Sequence, residues 1–312
     1  MDSFRILIVR LGAMGDVIHA LPGAASLKHS FPRSSLTWVI RPRWLPLLEG
    51  NPFVDEVIPL ERTAAGIRTA WCTLRARRFD LAVDFQGLVQ SALVAAASRA
   101  DRIVGLHRSQ AWERWASLFY SNEVLTSSVH VVDRNLELAA AAGASSILRA
   151  FPLPQGSAEA SLPEEKFVLA SPLAGWGSKQ WPVGHYEELA QRLDMPLVVN
   201  GPPDAAAELR KIRGAHIHLS GIRGLIHATR RAHAVVGVDS GPMHLAAALS
   251  KPGVAIFGPT DPARNGPYGG SLRVLRSASA STTYKRHGDD RDMRAITPAA
   301  VAEALLAAVC PA

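Results

Sequence analysis

The stretch AVVGVDSGPMHLAAALSKPGVAIFG, residues 234–258, decides how the rest of the chain is read. An apolar, β-branched run, AVVGVD (234–239), ends on an acid. GPMHLAAALS (241–250) follows with helix-forming residues and a proline in its first turn, and GVAIFG (253–258) is a second apolar run. Strand, helix and strand in so short a span predict a βαβ unit and a parallel sheet. Working outward, the same alternation recurs in both directions. FVLASPL (167–173) and PLVVNG (196–201) read as strands, with HYEELAQRL (185–193), DAAAELRKIRG (204–214) and the tail TPAAVAEALLAAV (297–309) as helices. Upstream, FRILIVR (4–10), LTWVI (36–40), FDLAVDF (79–85) and RIVGL (102–106) read as strands. Helices are predicted over 17–31 despite Pro22, over 87–98, and over 132–143, where Gly143 is a good terminator. The segment FPLPQGSAEASLPEE (151–165) is rich in Pro, Ser and Gly and is the natural linker. The prediction is an α/β protein of two facing Rossmann-like domains, 1–157 and 158–312, with ligands near the carboxyl ends of strands in a central cleft.

Composition agrees. The chain has 312 residues, 48% of them hydrophobic and 20% charged, enough for a sizeable core and too apolar for wholesale disorder. No run of 18 apolar residues occurs, and the amino-terminal stretch, broken by Arg10 and Asp16, does not read as a signal peptide. The two cysteines, Cys72 and Cys310, match no metal spacing and read as incidental thiols of a reducing compartment, so a cytoplasmic protein is expected. The net charge is +7, and only six of the 34 basic residues are lysines. Residues 62–78 (RTAAGIRTAWCTLRARR) carry five arginines and no acid. Such a segment suits an anionic partner or a solvated helix face.

Four loops carry the candidate chemistry, each at the end of a predicted strand. In RLGAMGDVIHALP (10–22), Gly12 and Gly15 flank a tight turn and Asp16 stands at a helix start. There it is either a cap or a general base, and His19 one turn later reads as packing. In LAGWGSKQWP (173–182), Gly175 lets the backbone approach a ligand and Lys179 can meet a phosphate. In VVGVDSGPMHLAAA (235–248), Ser240 reads as an N-cap, the start at 241–243 as a phosphate cradle, and His244 as a phosphate donor or a core histidine. FGPTDPARNGPYG (257–269) is a turn-rich loop holding Thr260, Asp261 and Arg264. G-x-G-x-x-G and the Walker pattern are both absent, and the one D-x-D match, 290–292, lies in a polar tail.

Taken in order, LGAMGDVIHALP, NPFVDEVIPL (51–60), FDLAVDFQGLVQSALVA (79–95), KQWP and the long block 235–269 resemble the lipopolysaccharide heptosyltransferases, inverting GT-B glycosyltransferases of family 9, over nearly the whole chain. ASLFYSNEV (116–124) most resembles the branch that adds the first heptose to Kdo on lipid A. The resemblance implies ADP-heptose as donor, a Kdo-lipid A acceptor, no metal or cofactor, no nucleic acid, and peripheral contact with the cytoplasmic face of the inner membrane. It implies Asp16 as base; Lys179, Gly175, Asp239, Ser240, Gly241 and His244 on the donor; and Arg10, Gly15, Arg62, Arg68 and Arg75 on the acceptor side. It leaves the tail helix free to pack back on the first domain. Two departures stand out. Ala174-Gly175-Trp176 occupy a stretch where hydroxyl residues are common. No single acid for the ribose follows Gly201, where Asp204 and Glu208 are both available. The rival readings are a transferase for another nucleotide sugar or a later core position, a nicotinamide oxidoreductase, and a noncatalytic anion-binding module.

Overall fold

The computed structural model describes residues 4–284 and 290–309. Cys310 lies outside the described residues; Cys72 is a free, exposed thiol. The chain forms two compact units, residues 1–154 and 155–312, dividing inside the proline-rich linker segment.

The first unit holds strands β1 (Arg5–Val9), β2 (Ser35–Ile40), β3 (Glu56–Pro59), β4 (Leu81–Asp84), β5 (Arg102–Leu106) and β6 (Asn122–Val124). Its helices are α1 (Met14–Ser30), α2 (Ala64–Arg75), α3 (Val89–Ala97) and α4 (Val131–Ala141). The strands run parallel in the order β3-β2-β1-β4-β5-β6. The order reverses between β1 and β4, so the loops leaving those strands diverge and open a crevice at their carboxyl ends, where doubly wound sheets take ligands. Leu7, Val9, Val39, Phe79 and Ala82 are buried in the core on one side of the sheet.

The second unit repeats the plan with β7 (Val168–Ser171), β8 (Leu197–Gly201), β9 (His216–Leu219), β10 (Ala234–Val238), β11 (Gly253–Phe257) and β12 (Leu272–Arg276). Its helices are α5 (Val183–Arg192), α6 (Ala206–Leu209), α7 (Ile222–Arg231), α8 (Gly241–Ala248), α9 (Pro262–Asn265), α10 (Arg291–Arg294) and α11 (Pro298–Val309). The parallel order is β12-β11-β10-β7-β8-β9, with its reversal between β7 and β10. The tail helix α11 packs on α5 and β11, and its Val301, Ala302 and Leu305 join the second unit's core. Among the described residues, no helix is long and apolar enough to cross a membrane.

Most predicted elements appear within a few residues. The helix predicted over 204–214 shortens to a 3-10 turn and the single turn of α6. Strands β3, β6, β9 and β12 were not predicted. All four are edge strands, whose polar residues blur the apolar pattern.

Candidate active site

The first unit's reversal point is built around Arg10 and Asp16. Arg10 leaves β1 fully wrapped, 3% exposed, and its guanidinium donates to the Phe85 carbonyl and to Asp16 Oδ1 at 2.6 Å. The other carboxylate oxygen of Asp16 accepts the Ala13 N–H at 2.9 Å, which caps α1 from its third position. The capping reading of Asp16 is what the structure shows. The cap fixes the carboxylate, and the side chain remains 43% exposed at the carboxyl edge of the sheet. His19 is buried behind it, its ring edge-on to His130 at 5.8 Å. Gly12 has φ +147°, and a Cβ there would stand 2.4 Å from Trp44 Nε1. Gly12→Ala should cost about 1–3 kcal/mol of stability from strain and crowding, measurable by urea unfolding.

Beneath this loop lies a group that the motif reading passed over. Asp84, the last residue of β4, is wholly buried and accepts from Gln86 N (2.8 Å), Gly87 N (3.3 Å), Ser91 Oγ (2.8 Å) and Tyr120 Oη (2.7 Å). Burial pushes its carboxyl up, and the four donors, Tyr120 first, pull it back. Burial and then the Asp84 charge push the Tyr120 hydroxyl up as well. The turn so fixed returns to the first loop: Gln86 Oε1 accepts the Leu11 N–H at 2.7 Å, and the Phe85 carbonyl holds Arg10. Asp84 thus sets the turn that sets Arg10, which in turn sets Asp16. The signal was an acid closing an otherwise apolar strand at the reversal point. Tyr120→Phe should lower stability by about 1–3 kcal/mol, because it strips a buried carboxylate of one donor. Chemical denaturation of the two proteins would measure the loss.

Of the arginines expected on the acceptor side, Arg62, Arg68 and Arg75 are all exposed, and the last two are borne by α2. Arg75 lies 4.9 Å from the centre of the Trp71 ring. Burial and then the charge of Arg62 push the Arg41 guanidinium down. Two cations are therefore crowded at the carboxyl ends of β2 and β3, as suits an anion.

In the second unit, Lys179 comes from the loop after β7 and Asp239 from the end of β10, on the two sides of the reversal point. Lys179 Nζ donates to Asp239 Oδ2 at 2.5 Å and sits 4.2 Å from the centre of the Trp176 ring. Thr260 Oγ1 donates to the same oxygen at 2.6 Å. His244 Nε2 is 4.0 Å from Asp239 Oδ1, and the histidine is itself buried. One buried carboxylate thus gathers Lys179, Thr260 and His244 around the start of α8. Thr260 belongs to this cluster. Asp261 instead caps α9 through Ala263 N, and Arg264 lies over Tyr284.

The cradle expected at 241–243 is smaller than anticipated. Pro242 has no N–H, and Met243 N already donates to the Ser240 carbonyl at 3.1 Å. The N–H of Gly241 remains for a ligand. Ser240 holds the N-cap position without using its side chain as a cap, and its Oγ is buried with no partner among the described residues. Ser178 Oγ, next to Lys179, is in the same condition. Around Gly175 a Cβ would meet nothing within 4 Å, so the backbone there is open to approach. Of the two acids available after β8, Glu208 is paired with Lys211 at 2.5 Å and Asp204 is exposed on a 3-10 turn. Among the described residues, no group of three or more His, Cys, Asp or Glu is placed to hold a metal ion.

Two parallel doubly wound sheets, each with polar side chains gathered at its reversal point, place the chain among the α/β proteins that take nucleotide ligands at such points. The chain belongs to glycosyltransferase family 9, the heptosyltransferases, whose family model matches residues 67–293. It is 31% identical to lipopolysaccharide heptosyltransferase 1 of Pseudomonas aeruginosa, an alignment covering 93% of this chain and 90% of that protein. It is 27% identical to lipopolysaccharide heptosyltransferase 1 of Escherichia coli K12, over 88% of this chain and 93% of the relative. The structure of the E. coli heptosyltransferase WaaC with ADP-2-deoxy-2-fluoro heptose matches with a TM-score of 0.76 and 25% identity, covering 96% of this chain and 98% of that one.

Proposed function

We propose that this enzyme transfers heptose from ADP-heptose to a Kdo-lipid A acceptor, with inversion at the anomeric carbon, early in assembly of the lipopolysaccharide core. The observation that carries the reading is the Lys179–Asp239–Thr260 cluster at the reversal point beside the start of α8. It pairs a fixed cation with an open backbone N–H at Gly241, an arrangement suited to a diphosphate. The 31% identity to a lipopolysaccharide heptosyltransferase 1 supports the choice of sugar and of the first core position.

The first unit would take the acceptor. Asp16 is the base: it accepts the proton of the attacking acceptor hydroxyl as the bond from anomeric carbon to diphosphate oxygen breaks. The hydroxyl oxygen forms the new glycosidic bond, and ADP leaves carrying the bonding electron pair. Arg10 and the Ala13 N–H hold the carboxylate in place while it does so. Lys179 and the α8 start stabilise the charge that develops on the departing ADP, with Ser178 and Ser240 as hydroxyl donors in reach of the same region. Arg62, Arg68 and Arg75 would meet the acceptor's phosphates. An enzyme acting on that acceptor works at the cytoplasmic face of the inner membrane, held there peripherally.

A donor panel tests the reading. With Kdo-lipid A as acceptor, ADP-heptose should give a product heavier by one heptose. ADP should inhibit, whereas UDP-sugars and NAD should neither serve nor compete. Transfer from a UDP-sugar, or transfer only to an already heptosylated core, would replace the proposal with the corresponding alternative.

A further inference from the structure

The connections β3 to β4, β4 to β5 and β5 to β6 all step in one direction across the first sheet. Right-handed crossovers then place α2, α3 and the 3-10 turn Arg114–Phe119 on the same face. The contacts agree: α2 packs on α3 and α3 on the turn, whereas α1 packs with α4.

The outer side of this layer is apolar where solvent should favour polar residues. On the turn, Ala116 and Ser117 are buried toward the sheet, while Trp115 and Leu118 are 57% and 73% exposed, and Trp112, just before it, is 60% exposed. At three residues per turn, Trp115 and Leu118 fall in one row. Leu93 on α3 and Ile67 and Trp71 on α2 are exposed as well. Six large apolar side chains on one layer exceed the scattered exposure normal for a soluble surface.

The charges around them are mostly positive, with Glu113 the exception on the turn. Arg114 lies over Trp115 at 4.5 Å and Arg75 over Trp71 at 4.9 Å, and neither makes an ion pair among the described residues. Arg62 and Arg68 add to the same acid-free segment. The nearby acid Glu113 is committed to the Val89 N–H at 2.6 Å. Exposed indoles flanked by arginines suit the boundary between lipid headgroups and acyl chains, where rings bury and guanidinium groups meet phosphate. A second copy of this chain is a poor occupant, since a twofold contact would press two basic faces together.

We propose that this face docks on the surface of an anionic phospholipid bilayer, with Trp112, Trp115 and Leu118 entering the headgroup region, Arg114 resting on lipid phosphates, and Arg62, Arg68 and Arg75 left beside it for the phosphates of the lipid-borne acceptor. This deepens the reading above, because a lipid-borne acceptor is met at a bilayer. It is tested by a measurement that needs no turnover.

The full chain should float with vesicles of phosphatidylglycerol and phosphatidylethanolamine, release at high salt, and float poorly with phosphatidylcholine alone. Its tryptophan emission should shift to the blue and be quenched by brominated phosphatidylglycerol. The triple variant W112S/W115S/L118S should bind anionic vesicles at least about tenfold more weakly, with an unchanged unfolding midpoint. If the enzyme is assayed on a water-soluble, deacylated acceptor, that variant should keep wild-type kcat and KM. The proposal is overturned if wild type ignores anionic vesicles, or if the triple variant binds them equally well. It is also overturned if the variant loses activity on the soluble acceptor, which would assign the patch to acceptor recognition, or if light scattering shows wild type self-associating through this patch.

Discussion

Asp16→Asn should fold and yet turn over at least about a hundredfold more slowly than wild type. Asparagine keeps an oxygen for the Ala13 N–H, so the cap on α1 survives. What it loses is the ability to accept a proton, together with the negative charge facing Arg10 at 2.6 Å. The Asp16 side chain is 43% exposed but Arg10 is buried, so losing the charge should also lower stability by about 1–3 kcal/mol while leaving the protein folded. The loss should fall on kcat, with KM for the donor nearly unchanged, because the donor is assigned to the other unit. Asp16→Ala should lose as much turnover and also weaken the helix start by about 1 kcal/mol. Steady-state kinetics beside circular dichroism separates the two effects. Retained turnover in a folded Asp16→Asn protein would mean the proton goes elsewhere.

Lys179→Ala should cost roughly 10²–10³ in kcat/KM, the range for removing one charge-stabilising donor from a reaction in which charge develops. The substitution has a second consequence. Asp239 is buried, and without Lys179 its Oδ2 keeps, among the described residues, only the Thr260 hydroxyl. An uncompensated buried carboxylate destabilises by about 3–5 kcal/mol, and an anionic ligand would be repelled by it. Lys179→Ala/Asp239→Asn removes both charges together and should recover most of the stability and little of the rate. If the double variant regained near wild-type kcat/KM, the role of Lys179 would be to neutralise Asp239 and not to meet the leaving diphosphate. Differential scanning calorimetry reads the stability and steady-state kinetics the rate.

How much of this was legible beforehand follows from the physics of each element. Central strands such as β1, β7 and β10 are buried on both faces, so they read as unbroken apolar runs and show plainly in sequence. Strands β3 and β9 are short edges with half-buried residues, and their pattern is too weak to see. The helix predicted over 204–214 failed because Pro202 and Pro203 open a 3-10 turn and only one α turn follows. Asp16, Lys179 and Asp239 were legible because each closes or follows a strand at a reversal point, in a glycine-bearing loop. Asp84 and Thr260 were harder. Their importance lies in partners 36 and 21 residues distant in sequence, Tyr120 and Asp239, and only the folded chain brings these together. Pro242 has no N–H, and this alone narrows the cradle expected over 241–243.

The most direct measurement of the central claim is the anomeric configuration of the product, read by NMR of the new glycosidic linkage after reaction of ADP-heptose with Kdo-lipid A. A single displacement with Asp16 as base predicts one linkage, opposite in configuration to the donor. It also predicts one ADP released per linkage formed, with both signals falling together in Asp16→Asn. Retained configuration, or a covalent glycosyl–protein adduct by mass spectrometry, would contradict it.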